Sequence, residues 1–513
     1  MKTRINKVII SGLFLMLISF SCTDLDSELY SELTPETEYT TSDSFLAGLL
    51  AAYNPLRSNF ANDGYWELQE HSSETAVAPA KFGPWNDGGQ WARLHQHQWE
   101  NSAFYINNAW NDWSGGVSLC NRLIEEFEAA GSAEAEAGIL ELRALRALYF
   151  YFALDAFGNV PLVTSYVDAE TNPSQVSSSE TYAFIESELL EIIPIMSDVS
   201  GGDNYARMNS WAARALLARL YLNAETYTGT AQWQKAADMA QEIIDGGRYS
   251  LEANYHDNFA WENEGSAENI LVSSNSVNNG PDFRMHLRTL HPLSAQTYNI
   301  NAGTGPWNGY TAVEDFYNSF DDADVRKDIF ITGQQFAADG TPLEDPAAAD
   351  QVDSNGNPEP DGPPLIFTPE INELIPNAFG QAGARIGKYE FVNGMQFRME
   401  NDFTIFRLAE VLLIRAEALW RLNGSNGESV ELIRQLRERA GLTAIDPITE
   451  DELYHEIQRE LAYEAQARTI MIRFDRFNGE WWEKPASDPS RNLFPIPTNQ
   501  LNGNPSLVQN PGY

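Results

Sequence analysis

The run ILELRALRALYFYFALDAF at 139–157 leaves this chain little freedom of fold. Leu142, Leu145, Tyr149 and Phe152 recur at spacings of three and four, with Arg143 and Arg146 on a more polar face. That is the period of an α-helix and not of a strand. Gly158-Asn-Val-Pro161 ends it, since Gly and Pro break the backbone pattern. The same period returns in SWAARALLARLYLNAE, which Ser210 can cap, and after the turn Tyr227-Thr-Gly-Thr in WQKAADMAQEIIDGG. Two antiparallel helices with small residues at the crossings and an aromatic opening the second make one tetratricopeptide-type unit.

A further pair is expected from FTIFRLAEVLLIRAEALWRL and ESVELIRQLRERAGL, with Asn423-Gly-Ser-Asn-Gly427 as the turn, and DELYHEIQRELAYEAQ follows. SFLAGLLAAYNPLR and the stretch from SAFYINNAW to FEAA add helices near the start. Single cores stop growing at roughly 250 to 300 residues, so 513 residues call for several domains or for repeats in series. The expectation is all-α: a tetratricopeptide-like scaffold over about 41–60, 101–250 and 401–470.

Two stretches break the helical period, about 61–100 and 255–400, both rich in Gly, Pro, Asn and Asp. Long irregular segments inside a folded domain are usually functional or disordered, and the scattered Trp and Tyr favour ordered loops. KFGPWNDGGQW at 81–91 and TGPWNGY at 304–310 stand out. Flat indole and phenol rings suit the apolar C–H faces of sugars, and Asn, Asp and Arg beside them can bond hydroxyls. Trp85, Asn86, Asp87, Trp91 and Arg93 in the first loop, with Trp307, Asn308 and Tyr310 in the second, are the candidate glycan-binding residues. Each ring either anchors its loop or faces a ligand. Trp66, Trp99, Trp110 and Trp113 lie at or near helical segments and are expected in the core.

Formal net charge is −40, so a polyanion such as nucleic acid would be repelled over most of the surface. A neutral or cationic partner fits better. The N-terminus reads as a signal peptide over 1–21: a basic MKTRINK, a short apolar run and a small residue before Cys22. Cys22 is the expected lipidation site, although Ser19 stands where a strict lipobox has Leu. Residues 22–40 then form an acidic tether, and the folded domain takes 41–513. Acyl chains embed at roughly 0.8 kcal/mol per methylene, enough to hold such a domain at a membrane. With Cys22 acylated, Cys120 is the only other cysteine, on an apolar helical face where packing is expected.

No nucleophile elbow, phosphate-binding loop, HExxH or Cys/His cluster occurs, so no catalytic residue is assigned and a non-enzyme is expected. His95-Gln-His97 lacks a third metal ligand and reads as loop or surface histidines. Asp353-Ser-Asn-Gly-Asn357 starts like a calcium loop, but Pro358 and Pro364 occupy the positions of its Gly and bidentate Glu. No cofactor is assigned, and a structural calcium elsewhere is left unplaced.

The stretches RALRALYFYFALDAFGNVPLV (143–163), ARALLARLYLNAE (213–225), FRLAEVLLIRAEAL (406–419), RELAYEAQARTIMIRFDRF (459–477) and the ending LFPIPTNQLNGNPSLVQNPGY (493–513) together resemble the SusD/RagB group of outer-membrane lipoproteins of Bacteroidetes. The resemblance runs from Cys22 to Tyr513. It implies an all-helical fold with a loop-rich half holding a glycan site, lipid-anchored display at the cell surface, and an export signal in the acidic run after Cys22. It also implies a SusC-like TonB-dependent transporter, covered as by a hinged lid, to which oligosaccharide is delivered. A β-glucan such as laminarin is the first expected ligand. The alternatives are a peptide- or protein-binding member like RagB and a glycoside hydrolase of helical fold.

Overall fold

The computed structural model describes residues 38–513 except 62, 83–84 and 279–282. The signal peptide, Cys22 and the tether up to residue 37 therefore lie outside the described residues. The principal helices are α1 Ser42–Ala51, α2 Asn54–Ala61, α3 Tyr65–Glu70, α4 Gln90–His95, α5 Phe104–Ala130, α6 Ala133–Phe157, α7 Ser178–Ile192, α8 Ser210–Leu222, α9 Trp233–Gly246, α10 Leu408–Asn423, α11 Gly427–Arg439, α12 Glu450–Glu460 and α13 Ala467–Arg473. Consecutive helices pack as hairpins: α5 on α6, α6 on α7, α8 on α9, and α10 on α11. The chain then leaves the stack for some 150 residues and returns, so that α10 packs on α9. The fold is all-α and tetratricopeptide-like, with a loop-rich half inserted in the stack.

Local chemistry explains the helix boundaries. Ser132 caps α6 by accepting from the Ala135 amide, and Gly158 ends it at a positive φ of 71°. Where α5 crosses α6, a Cβ on Gly116 would lie 2.5 Å from the Tyr149 ring, so only glycine allows that approach. The C-terminal motif closes over the end of α6, the Phe494 amide donating to the Ala156 carbonyl at 2.8 Å.

Four expectations are corrected. Asn209, and not Ser210, caps α8, its side chain accepting from the Trp211 and Ala212 amides. SFLAGLLAAYNPLR is two helices with a break at 52–53. DELYHEIQRELAYEAQ stops at Glu460, and a turn separates it from α13. FTIFR at 403–407 is a strand, paired antiparallel with Asn269–Ser273, and the helix begins only at Leu408. Its alternating bulky residues are fully buried in that pairing, a distant contact that local periodicity does not register.

A buried ion-pair network ties the loop-rich half to the stack. Arg407 reaches Glu268 and Glu460 at 2.7 Å and Glu464 at 2.8 Å. Arg439 binds Glu268 at 2.6 Å, Lys388 binds Glu464 at 2.6 Å, and Arg326 holds Asp324 and Glu456 at 2.8 Å. Burial alone would push the Glu460 carboxyl up, but Arg439, Arg407 and Arg326 outweigh it and hold it well below the usual range. Removing one member of such a set costs roughly 3–5 kcal/mol, because a buried charge is left unpaired.

A small sheet in the loop-rich half takes the order Ala76–Val77, Thr311–Ala312, Arg385–Ile386, Phe330–Ile331. Its first pair is antiparallel, with Ala76 opposite Ala312 and Val77 opposite Thr311. The chain leaving Val77 and the chain arriving at Thr311 therefore run side by side at one end of the pair. Those are the two aromatic loops.

Candidate functional site

The strand register brings KFGPWNDGGQW and TGPWNGY into contact. The Trp85 indole Nε1 donates to the Trp307 carbonyl at 2.7 Å. The Trp85 ring lies so flat on Gly309 that a Cβ there would meet ring atoms at 2.1–2.6 Å. Trp85, Arg93 and Trp307 are half-buried, while Asn86 and Asp87 are exposed. The Arg93 guanidinium donates to the Gly88 carbonyl at 2.8 Å and steadies the turn.

Three of the sequence candidates are packing residues. Trp91 is not in the loop at all but in the first turn of α4, 2% exposed, with its Nε1 donating to Asp87 at 2.9 Å. Its ring sits among those of Trp85, His71, Phe104, Tyr105 and Tyr310 at centroid distances of 5.5–5.9 Å. Tyr310 is fully buried. Asn308 is buried and spent internally, accepting from Arg385 at 2.9 Å and donating to the Gly380 carbonyl at 2.8 Å. In this conformation none of the three offers a face to a ligand. They are the reason the exposed residues stand where they do.

Under the rim the polar groups form a closed set. Arg288 pairs with Asp63 at 2.5 Å and Glu67 at 2.7 Å, and also donates to the Tyr310 hydroxyl. The same hydroxyl donates to Glu67 at 2.9 Å. Burial pushes the Glu67 carboxyl up to about 7 despite Arg288. Burial, with Arg288 nearby, holds the His71 imidazole well below its ordinary value, so it is neutral and packs as an aromatic between Trp66, Trp91 and Tyr310.

Residues that sequence reasoning did not assign also face this rim. Phe82 is 37% exposed and stacks on Phe379 at 6.4 Å. The Arg284 guanidinium lies 5.2 Å from the Trp307 ring and 5.3 Å from Phe397. Phe82 stood in plain view in KFGPW, whereas Arg284 and Phe397 carry no local signal. Asp63, Phe82, Trp85, Asp87 and Asn308 all have positive φ, of 37–65°. Such conformations cost on the order of 1–3 kcal/mol each and gather at functional sites.

Other candidates resolve as structural. His95 and His97 are buried rather than at the surface, bonded to the Trp482 carbonyl at 2.7 Å and the Ser72 carbonyl at 2.7 Å. Asp353 spends its oxygens on Asn355 and Asn357 in a hairpin tip, so it is not a calcium loop. Among the described residues no cluster of three or more His, Cys, Asp or Glu could hold a metal ion. Cys120, Trp66, Trp99, Trp110 and Trp113 are buried, as expected. A cavity of about 420 Å³ between α1 and Met208 lies on the helical side and includes none of the rim residues.

The stacked-helix scaffold thus carries two aromatic loops joined at one strained rim. Residues 295–513 match the model of the SusD family, and residues 25–222 match a family described as starch-binding and associating with the outer membrane. The starch-binding protein SusD of Bacteroides thetaiotaomicron is 28% identical over 77% of this chain and 76% of its own. SusD-like protein P25 of Formosa agariphila is 22% identical over 98% of this chain and 99% of its own. Among solved structures, surface glycan-binding protein A from Bacteroides thetaiotaomicron superposes with a TM-score of 0.72 at 21% identity, covering 93% of this chain and all of that one. Its complex with laminarihexaose gives 0.70 at 21%, over 92% and 100%. At those identities the structural likeness is one of fold. By both models and these relatives the chain is SusD-like, and SusD family members are carbohydrate-binding proteins, not enzymes. The family is associated with the outer membrane, and no described helix is long and apolar enough to cross a bilayer.

Proposed function

We propose that this chain is a surface lipoprotein, anchored through Cys22, that captures a neutral oligosaccharide on the rim formed by Phe82, Trp85, Asn86, Asp87, Arg93 and Trp307 and delivers it to a SusC-like TonB-dependent transporter. The observation that carries the reading is the bonded contact of Trp85 with the Trp307 carbonyl, which joins two aromatic loops into one strained, open surface. Stacking on the rings supplies affinity, and Asn86, Asp87 and Arg93 select hydroxyl positions. An open rim admits a polymer from either side, which an enclosed cavity would not. A β-glucan such as laminarin is the preferred ligand, and the laminarihexaose complex of a protein with this fold makes that hexasaccharide the first probe.

Calorimetry on laminarihexaose and a starch oligosaccharide tests it, comparing wild type with Trp307→Ala and Phe82→Ala. A tenfold loss, about 1.4 kcal/mol, with helical circular dichroism retained is expected. Unchanged affinity would return these rings to loop anchors, and hydrolysis products would replace the reading with an enzyme.

A further inference from the structure

A pocket on the helical side of the molecule shares no residue with the rim. It has a volume of about 320 Å³ and opens between α5, the segment 161–173 and the C-terminal segment 500–507. Trp110 and Trp113 form its aromatic wall, their centroids 4.9 Å apart. Tyr166 also lines it, half exposed, on a loop held by Glu125. Glu125 pins that loop by accepting from the Ser165 hydroxyl at 2.6 Å, the Tyr166 amide at 2.7 Å and the Val167 amide at 3.1 Å. A ring of this size held in water by a bonded loop is available as a ligand face.

The polar groups point the same way. The Trp113 indole Nε1 is buried without a hydrogen-bond partner among the described residues. A buried donor left unpaired costs roughly 1–3 kcal/mol, and the residue that carries it lines this pocket. Among the described residues the Ser118 and Tyr166 hydroxyls have no hydrogen-bond partner, and Gln500 spends only its amide nitrogen, on Asn111 at 3.0 Å. Glu170 is the one ionisable group on the lining besides the tyrosine, and no Lys or Arg lines the pocket. A phosphate, sulfate or carboxylate ligand would find no countercharge there. The chemistry left is that of a neutral ring with apolar C–H faces and hydroxyls at its edge, and the volume, at the low end for small-molecule sites, holds one or two such rings.

We propose that this pocket is a second saccharide-binding site, taking one or two neutral pyranose units against Trp113 and Tyr166. Such a site would hold another part of a polymer already engaged at the rim, or a second chain, and raise avidity through effective concentration.

Fluorine NMR of the protein labelled with fluorotryptophan tests this, with the Trp113 resonance assigned through Trp113→Phe. Laminaribiose and maltose are titrated into wild type, Trp307→Ala and Tyr166→Ala. The Trp113 resonance should move saturably with at least one sugar in wild type and equally in Trp307→Ala, and the affinity read there should fall at least tenfold in Tyr166→Ala, a surface change that leaves the fold intact. A Trp113 resonance that stays still while rim resonances move overturns the second site and leaves the first. Movement at Trp113 with a silent rim supports the second site even as the first fails. Movement that is lost in Trp307→Ala, or untouched in Tyr166→Ala, overturns it, since the shift would then report the rim or a nonspecific effect.

Discussion

Gly309→Ala is the sharpest probe of how the two loops are joined. Gly309 lies outside the positive-φ region, so its backbone accepts an alanine. The obstacle is Trp85, whose Cε2, Cζ2 and Cδ2 would lie 2.1, 2.4 and 2.6 Å from the new methyl. Carbon atoms need about 3.5 Å or more, so the indole must shift by over an ångström. That shift breaks its 2.7 Å bond to the Trp307 carbonyl. Overpacking of this kind costs about 1–3 kcal/mol. In a Trp85→Ala background the space is vacated, and the same methyl should cost less than about 0.5 kcal/mol. Urea unfolding of the four proteins gives the coupling directly, expected at about 1–3 kcal/mol in favour of the double variant. Calorimetry on the single variant should show weakened oligosaccharide binding, because both tryptophans move. If the two substitutions add to within about 0.5 kcal/mol, the loops do not meet as described.

Arg288→Met strands the buried Glu67 carboxylate and should cost about 3–5 kcal/mol in unfolding free energy, most of which Glu67→Gln in the same chain should restore. Burial raises Glu70 from an ordinary 4.5 to about 7, so the folded chain keeps a proton there that the unfolded chain gives up. The stability tied to it is present below pH 4.5 and lost as pH rises through 7. Glu70→Gln should therefore gain on the order of 3 kcal/mol over wild type between pH 4 and pH 8, read from denaturation at each pH. Asn209→Ala should cost about 1 kcal/mol by the same measurement, while Ser210→Ala costs less than half of that, since Asn209 makes the cap bonds.

Periodicity carried the scaffold because helices are local: α6 closes its own hydrogen bonds and shows its buried face at spacings of three and four. FTIFR misled for the opposite reason. It abuts a true helix, and what makes it a strand is Asn269–Ser273, more than a hundred residues earlier. The site was legible as two loops but not as a surface. Aromatics among Gly, Pro and Asn located both segments, yet nothing in their composition tells a ring lying on Gly309 from one buried against His71. That choice is made by the register of Ala76–Val77 against Thr311–Ala312 and by the first turn of α4. Tyr310 is drawn inward because it immediately precedes the strand and its hydroxyl completes the Arg288 set. His95 and His97 are inside because the turn after α4 meets the Trp481–Lys484 bridge and Ser72, again from distant parts of the chain.

The buried ion pairs centred on Arg407 and Arg326 draw on residues 268, 324, 326, 388, 407, 439, 456, 460 and 464, and on none from 82–93 or 301–309. The ion pairs that tie the two halves together thus share no residue with the proposed rim. If the rim binds ligand as proposed, the two loops are exchangeable jaws on a fixed vice. Transplanting a matched pair, with the Trp85–Gly309 contact kept as the hinge pin, should retarget the rim without disturbing the frame.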